Sequence, residues 1–576
     1  MGYWDSKISG ILHDPLDKVL RIFDDTHAID AKTIAKNVFN VNTSVILSDI
    51  ENHHVHSNVR EPDLKASAVN RIWIPKGSVE RNLWMIHPLS GVNLSDIFKV
   101  PTSIKYLASK GIPPESSTLG KKCLDRVLEG SASVEDFNDI VWFLVPCYYE
   151  IYSEISRSFA QKLIFLPEDT RIPGSLQLSH LMVTSAFSYP NATPLKIYFV
   201  RLEIGGVQEF ISIARTTHDL WSGSYLSSLI MFRVLREFIE RFGIVQVIYP
   251  WLVWTPLCEV YVFKKIRDPH SLLYPTVPNS ALIVIPPVKG EDVQKVSSID
   301  PKELKKLVES ALESMSNCLQ SMLIRFLKSR CEIDQIPSDL RDQISKQLDL
   351  KRVFKPRVYV FGANMGMSFN EILEVAKILG GKRLDKVRSL LISLKDKGAL
   401  EYSYDPGDSF DNFFIVENCI EASLQSIASV DTRQMDAEPE TSPRNRCTLC
   451  GLREILRISN NCWNNLVEAG VVEENERLCA LCMVKRISMR WEDTVDPFIE
   501  ATGIPPETSK EIKLAEYPST SDAATAWFRA TFLSTVIAGI KRCEKYSAEV
   551  KKLPVSYTHL RAHETRHDLV CRLLLE

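Results

Sequence analysis

Four of the 13 cysteines fall in two CxxC pairs, Cys447-Thr-Leu-Cys450 and Cys479-Ala-Leu-Cys482, with 28 residues between them. A CxxC turn lets two thiolates reach one metal at about 2.3 Å, and two such turns complete a tetrahedral zinc site. The span between them exceeds that of the shortest zinc ribbons, so further structure must sit inside it. The alternative is two redox-active or merely buried pairs, which two such units in one polar-flanked segment disfavour. Four thiolates leave no open coordination position, so the role of the ion is structural. Cys462, between the pairs, reads as a bystander. Cys123, Cys147, Cys258 and Cys318 stand singly in apolar contexts and read as reduced, small hydrophobes.

A second set of ligand types lies near the N-terminus. Leu12-His13-Asp14-Pro15 puts an imidazole and a carboxylate at the end of a short apolar helix. His27 follows 13 residues after Asp14, and Asp63 precedes the apolar stretch Leu64–Val69. Imidazole and carboxylate together suit one or two hydrolytic metals, which activate water and clamp phosphate oxygens. The alternative is a set of satisfied polar groups. His53, His54 and His56 form another cluster, equally readable as a solvated loop.

The elements that must position these residues follow from periodicity. Residues 1–160 read as helical. Ile197–Glu203 reads as a strand, Gly205-Gly206 as a tight turn and Val207–Ala214 as the start of a helix. A second helix carries Leu226, Ile230, Val234 and Phe238 at four-residue spacing. Val245–Tyr249 and Ala281–Ile285 are short β-rich runs ended by prolines. Residues 301–354 read as a charged helical connector. Helix, Gly380-Gly381, helix and two strands within 355–430 have the order of a winged-helix insertion. Lys382, Arg383, Lys386 and Arg388, at the start of its second helix, are candidates to meet nucleic-acid phosphates; a solvated basic face is the alternative.

At 576 residues the chain has room for roughly four domains. Lys and Arg total 69 against 72 Asp and Glu, a net charge of -3. That excludes a polybasic chain whose whole surface binds polyanions and leaves room for a local groove. No apolar run approaches the roughly 20 residues needed to span a bilayer, and the start lacks a basic-then-apolar signal segment. The expectation is a cytoplasmic protein with no membrane partner.

Glu203–Leu229 (EIGGVQEFISIARTTHDLWSGSYLSSL) resembles the large subunit of type III CRISPR effector complexes, in particular the Cmr (type III-B) branch of the Cas-ten family. Val277-Pro278-Asn279, the two cysteine pairs, Tyr517-Pro-Ser-Thr520, the His13-Asp14 doublet with Lys18, and Asp63–Ala68 follow in that family's order. The resemblance implies a multidomain α+β protein: an HD-like helical domain (1–160), a ferredoxin-like palm domain (190–300) and a four-cysteine zinc domain (440–500). A helical segment (501–554) then leads to a second palm. It implies that His13, Asp14, His27 and Asp63 bind a divalent metal such as manganese or nickel for single-stranded DNA cleavage, with His13 and Asp14 catalytic. Implied partners are crRNA, target RNA and the smaller Cmr subunits. In the family the second palm carries a Gly-Gly-Asp-Asp site that converts ATP to cyclic oligoadenylates. That tetrapeptide does not occur here, so the chain reads as an N-terminal portion, with ATP a cofactor only where the second palm is present.

Residues 555–576 place His559, His563 and His567 at four-residue intervals, the spacing of a metal site on a helix. The segment also resembles translated sequencing-adapter sequence and reads as a non-native end. Two rival functions predict different behaviour: a free-standing HD-type metal-dependent phosphohydrolase, and a winged-helix DNA-binding regulator.

Overall fold

A computed structural model describes residues 1–18, 27–54, 57–70, 126–166, 176–192, 196–264, 272, 274–287, 301–364 and 445–488. All of these lie in one unit, Met1–Ala515. The architecture is α+β. In chain order the helical N-terminal block contains α1 (Tyr3–Leu12), α2 (His27–Asn37), α3 (Ser44–Glu51), α4 (Arg60–Asn70), α5 (Val134–Ala160) and α6 (Gln177–Phe187). Then come β1 (Lys196–Glu203), α7 (Val207–Ser212), α8 (Thr217–Phe242), β2 (Val247–Tyr249), α9 (Pro256–Tyr261) and β3 (Ser280–Ile285). They are followed by α10 (Pro301–Cys331), α11 (Ser338–Gln347), α12 (Leu350–Phe354), β4 (Arg357–Asn364), α13 (Asn460–Glu468) and α14 (Ala480–Ile487).

The four strands form one antiparallel sheet in the order β2-β3-β1-β4. Val200 of β1 faces Ile283 of β3 on one side and Val360 of β4 on the other. Successive strand residues point to opposite faces, yet Phe199, Val200, Arg201 and Leu202 are all buried, so β1 is covered on both faces. Arg201 and Glu203, two apart on one face, form a buried ion pair. α8 starts at a capping box in which Thr216 and Asp219 hold each other's backbone N–H groups. Its Leu226, Ile230, Val234 and Phe238 are buried, each contributing about 1.5–3 kcal/mol by leaving water.

Three boundaries differ from the sequence reading. α6 packs on α1 and α4, so the helical block runs past residue 160 to Phe187. The span 301–354 is not a connector alone. α10 lies between β3 and β4 in the chain and packs on α8; β3 and β4, both antiparallel to β1, run parallel to each other, and parallel strands require a crossover rather than a hairpin. The segment assigned to a winged-helix insertion gives its Arg357–Asn364 to the sheet as β4. Its remainder, including Lys382, Arg383, Lys386 and Arg388, lies outside the described residues, as does the 501–576 segment. Two cysteine readings also change. Cys462 is bonded to Cys331 and ties α13 to α10, and Cys147 is disulfide-bonded rather than a free thiol.

One buried cation joins the helical block to the sheet. Lys7 of α1 is fully buried and donates at 2.8 Å to the carbonyls of Ser185 and Ala186 and to Oε1 of Gln246. Gln246 in turn donates to the carbonyl of Val284 on β3. Burial pushes the Lys7 pKa well down, and the three acceptors supply the partners a buried ammonium requires. α1 can approach α6 this closely because residue 10 is glycine: a Cβ there would lie 2.8 Å from the Ser185 Cα. Among the described residues no helix is long and apolar enough to cross a membrane.

Candidate metal centres

The first centre forms where four helices of the N-terminal block converge. α1 ends at Leu12, and the Pro15 that follows the doublet cannot continue the helix, leaving His13 and Asp14 projecting from its end. His13 Nδ1 lies 2.8 Å from the Gly10 carbonyl, which assigns the proton to Nδ1 and turns Nε2 inward. Nε2 is 3.3 Å from Asp14 Oδ2 and 3.5 Å from Asp63 Oδ1, the latter carried by α4. His180 of α6 completes the set, its Nε2 3.3 Å from His13 Nε2, 3.2 Å from Asp63 Oδ1 and 3.7 Å from Asp14 Oδ2. His53, just after α3, repeats the His13 arrangement: Nδ1 meets the Ile50 carbonyl at 2.7 Å and Nε2 stands 3.8 Å from Asp14 Oδ1.

These spacings test whether a divalent ion fits. Ligands about 2.1 Å from a common ion sit about 3.0 Å apart at right angles and about 3.4 Å apart in a tetrahedron. The 3.2–3.7 Å separations among His13, Asp14, Asp63 and His180 match, and the two-imidazole, two-carboxylate donor set suits a borderline divalent metal. Lys18 also pairs with Asp14 Oδ2, so an ion would share that oxygen with an ammonium. His13, Asp14 and His180 are sealed from water. The Asp63 side chain is 11% exposed and His54 is exposed, with its ring 3.8 Å from that of His53, so solvent reaches the centre from this side.

Without metal the centre holds a proton in the ion's place. Burial works against a charged imidazole at His13, but Asp14 and Asp63 together overrule it and its pKa rises to about 10. Burial carries His53 down to about 4. Burial would raise Asp14 and Asp63; Lys18 and His13 at the first, and His13 and His180 at the second, hold both well below the usual value. Because the folded pKa of His13 is raised, its protonation stabilises the metal-free fold fully below about pH 6.5, and that contribution fades as pH climbs toward 10. A metal must displace this proton. Divalent-ion affinity is therefore expected to rise about tenfold per pH unit between pH 7 and 9, with one proton released per ion. Titration calorimetry in two buffers of different ionisation enthalpy measures that proton directly, and a pH-independent affinity contradicts the assignment.

His13, Asp14 and Asp63 thus come together as read from the sequence. His27 opens α2, and its side chain lies outside the described residues, as does His56. His53 belongs to the buried centre and not to a solvated loop. His180 was missed: it sits 167 residues from His13 in an apolar helix, and no spacing links the two.

The second centre gathers the four patterned cysteines. In the first knuckle the Gly451 N–H donates to the Cys447 carbonyl, Gly451 takes the left-handed φ of 65°, and the Leu452 N–H points at Cys450 Sγ, 3.5 Å away. In the second, Cys479 is the N-cap of α14 and Cys482 lies in its first turn, where the helix dipole favours thiolates. All four sulfurs lie within 4.8 Å of one another, and Cys450 and Cys479 are 3.8 Å apart. A tetrahedron of about 2.3 Å metal–sulfur bonds has edges of about 3.8 Å, so the cluster fits one ion. Cys450, accepting from its neighbours' thiols, is pulled toward the thiolate, while those same contacts push Cys482 up. Four thiolates this close need a cation in place of the lost protons.

Residues 199–320 match the family model described as CRISPR-associated protein Cmr2, N-terminal. The chain is 24% identical over 452 residues to the CRISPR system Cmr subunit Cmr2 of Pyrococcus furiosus, covering 70% of this chain and 46% of that protein. It is 24% identical over 272 residues to the corresponding Cmr2 of Saccharolobus solfataricus, covering 45% of this chain and 25% of that one. It therefore spans less than half the length of either relative. A solved structure of type III-B Cmr-beta in the apo state aligns over 89% of this chain and 51% of its own, at 18% identity and a TM-score of 0.47. The matched segment contains the Glu203–Leu229 element on which the resemblance to the type III-B large subunit was drawn, and that resemblance holds.

Proposed function

We propose that this relative of the type III-B large subunit is the N-terminal portion of such a subunit: a scaffold for crRNA, target RNA and smaller Cmr subunits, bearing an HD-type centre for single-stranded DNA cleavage. The observation that carries the reading is the convergence of His13, Asp14, Asp63 and His180 on one point, in a chain whose following segment matches the Cmr2 family. With the short helices set aside, the β1-α8-β2-β3-α10-β4 succession and the β2-β3-β1-β4 sheet support a ferredoxin-like palm. The four-cysteine cluster supports a structural zinc.

In the HD-type centre a bound manganese or nickel ion supplies a Lewis acid for a phosphate oxygen and a water of lowered pKa. His13, Asp14, Asp63 and His180 would hold it. His13 Nδ1 on the Gly10 carbonyl and His53 Nδ1 on the Ile50 carbonyl fix the ring orientations, with His53 Nε2 3.8 Å from Asp14 Oδ1. A phosphodiester would enter on the Asp63–His54 side, where the protein leaves access. With no Gly-Gly-Asp-Asp in its sequence, this chain carries no cyclic oligoadenylate synthesis in this reading.

Co-expression of the full tagged chain with the smaller Cmr subunits and a crRNA locus tests the proposal. Recovery of a stoichiometric crRNA-containing complex is the expected result; a chain recovered alone defeats the scaffold reading. Manganese- or nickel-dependent cleavage of single-stranded DNA by the isolated chain, with no complex formed, favours the free-standing HD phosphohydrolase instead.

A further inference from the structure

The residues that carry the family resemblance have a task that their sequence does not disclose. Lys485 and Arg486 follow Cys482 by three and four positions on α14, one helical turn beyond the metal ligands. Both are buried, and both reach across to the α7–α8 segment of the sheet domain. Lys485 Nζ donates to the carbonyls of Phe210, Ile211 and Ile213, closing the C-terminal end of α7. Arg486 grips Asp219 with two hydrogen bonds, of 2.5 and 2.9 Å, and donates to Glu476 at 2.9 Å and to the Val471 carbonyl. From the other side, Arg215 donates to Glu476 at 2.9 Å and to the Thr448 carbonyl, inside the first knuckle. Ser222 donates to the Lys485 carbonyl at 2.6 Å. Gly223 lies where a Cβ would come 2.7 Å from Lys485 Cε and 3.2 Å from the Ile211 Cα, so a methyl there would push the lysine stem off its present path.

Arg215, Asp219, Ser222 and Gly223 belong to the Ala-Arg and Asp-Leu-Trp-Ser-Gly-Ser elements, and each serves the cysteine block. We propose that the block is a metal-set latch: an ion at the four cysteines fixes the start of α14, and Lys485 and Arg486, acting as positioning residues, transmit that placement to Phe210–Ser224. The proposal rests on the reading of the four cysteines as a metal site. It assigns these motif residues to holding the sheet domain's α7–α8 segment in one position rather than to contacting a ligand.

Hydrogen-exchange mass spectrometry on the full chain, with metal content measured on the same samples, tests it. Chelation of the metal is expected to speed exchange in peptides spanning 207–224 by at least about tenfold while β1 and β3 keep their protection. Gly223→Ala is expected to give the same acceleration with one ion per chain retained. Unchanged exchange in 207–224 after metal loss overturns the latch. If chelation unfolds the whole chain, Gly223→Ala decides: metal retained with 207–224 as protected as before overturns it. A wild-type chain purified without metal refutes the metal reading instead, and faster exchange in Gly223→Ala then still supports the contact.

Discussion

Asparagine in place of His180 is expected to abolish tight divalent-ion binding at the N-terminal centre while the chain stays folded. The argument is geometric. His180 Nε2 is the donor closest to Asp63 and the one that faces His13 Nε2, so its loss opens one side of a four-ligand set. Changes to groups that merely orient a ligand cost about 10–100-fold in metal affinity, and loss of a direct ligand costs more. A fall of at least about 100-fold in manganese affinity, read by electron paramagnetic resonance of the free ion, is therefore the expected outcome. Asparagine keeps a polar group in a fully buried position, and an unchanged thermal midpoint for the metal-free protein separates ligand loss from misfolding. The double change His13→Ala with Asp14→Ala removes the other half of the set, and metal-dependent DNA cleavage, where present, disappears with it. Undiminished manganese affinity in the His180 variant refutes the centre.

The larger effect is expected at the cysteines. Serine in place of Cys479 removes one of the four sulfur ligands while leaving a residue well suited to cap α14, so the loss falls on the cysteine cluster alone. A structural zinc contributes about 10–16 kcal/mol of apparent binding free energy, which in a small block is folding free energy. Among the described residues the two knuckles are joined by the Thr448–Arg477 and Leu456–Leu478 backbone hydrogen bonds and by buried Leu456, Leu478 and Leu481, with Gln347 and Arg215 each bridging them from outside the block. The variant is expected to lose its stoichiometric zinc and to melt this block in a separate, earlier transition. Elemental analysis and calorimetry read the two consequences. A variant with one zinc per chain and a single unshifted transition shows that the cysteines do not form the site.

The cysteine centre was readable because its ligands lie three residues apart in two short turns, so local chain geometry alone brings each pair to one ion. The same holds for the strand Ile197–Glu203, the helix bearing Leu226 to Phe238, and the His13-Asp14 doublet, where period and adjacency are the whole signal. His180 carries no such signal. A histidine among leucine and methionine on a buried helix looks the same whether it holds a ligand or fills the core, and only the packing of α6 on α1 and α4 brings it beside His13 and Asp63. Lys7, Lys485 and Arg486 are similar: in sequence they are ordinary surface cations, and burial against carbonyls and carboxylates makes them joints between blocks.

The order of β4 in the sheet shows the same division. Arg357–Asn364 has strand-forming residues, but whether it begins an insertion or closes a sheet depends on a partner more than 150 residues earlier. The two knuckles, the helical and β periods, the near-neutral charge and the likeness to the type III-B large subunit are legible along the chain. That His53 and His180 lie beside His13, Asp14 and Asp63, that Cys462 meets Cys331, and that Asp219 and Gly223 meet Arg486 and Lys485 emerges only when the helices pack. The reason is physical: periodicity and spacing report what a residue does to its own helix, strand or turn, whereas ligation and buried ion pairing are fixed by which helices pack together.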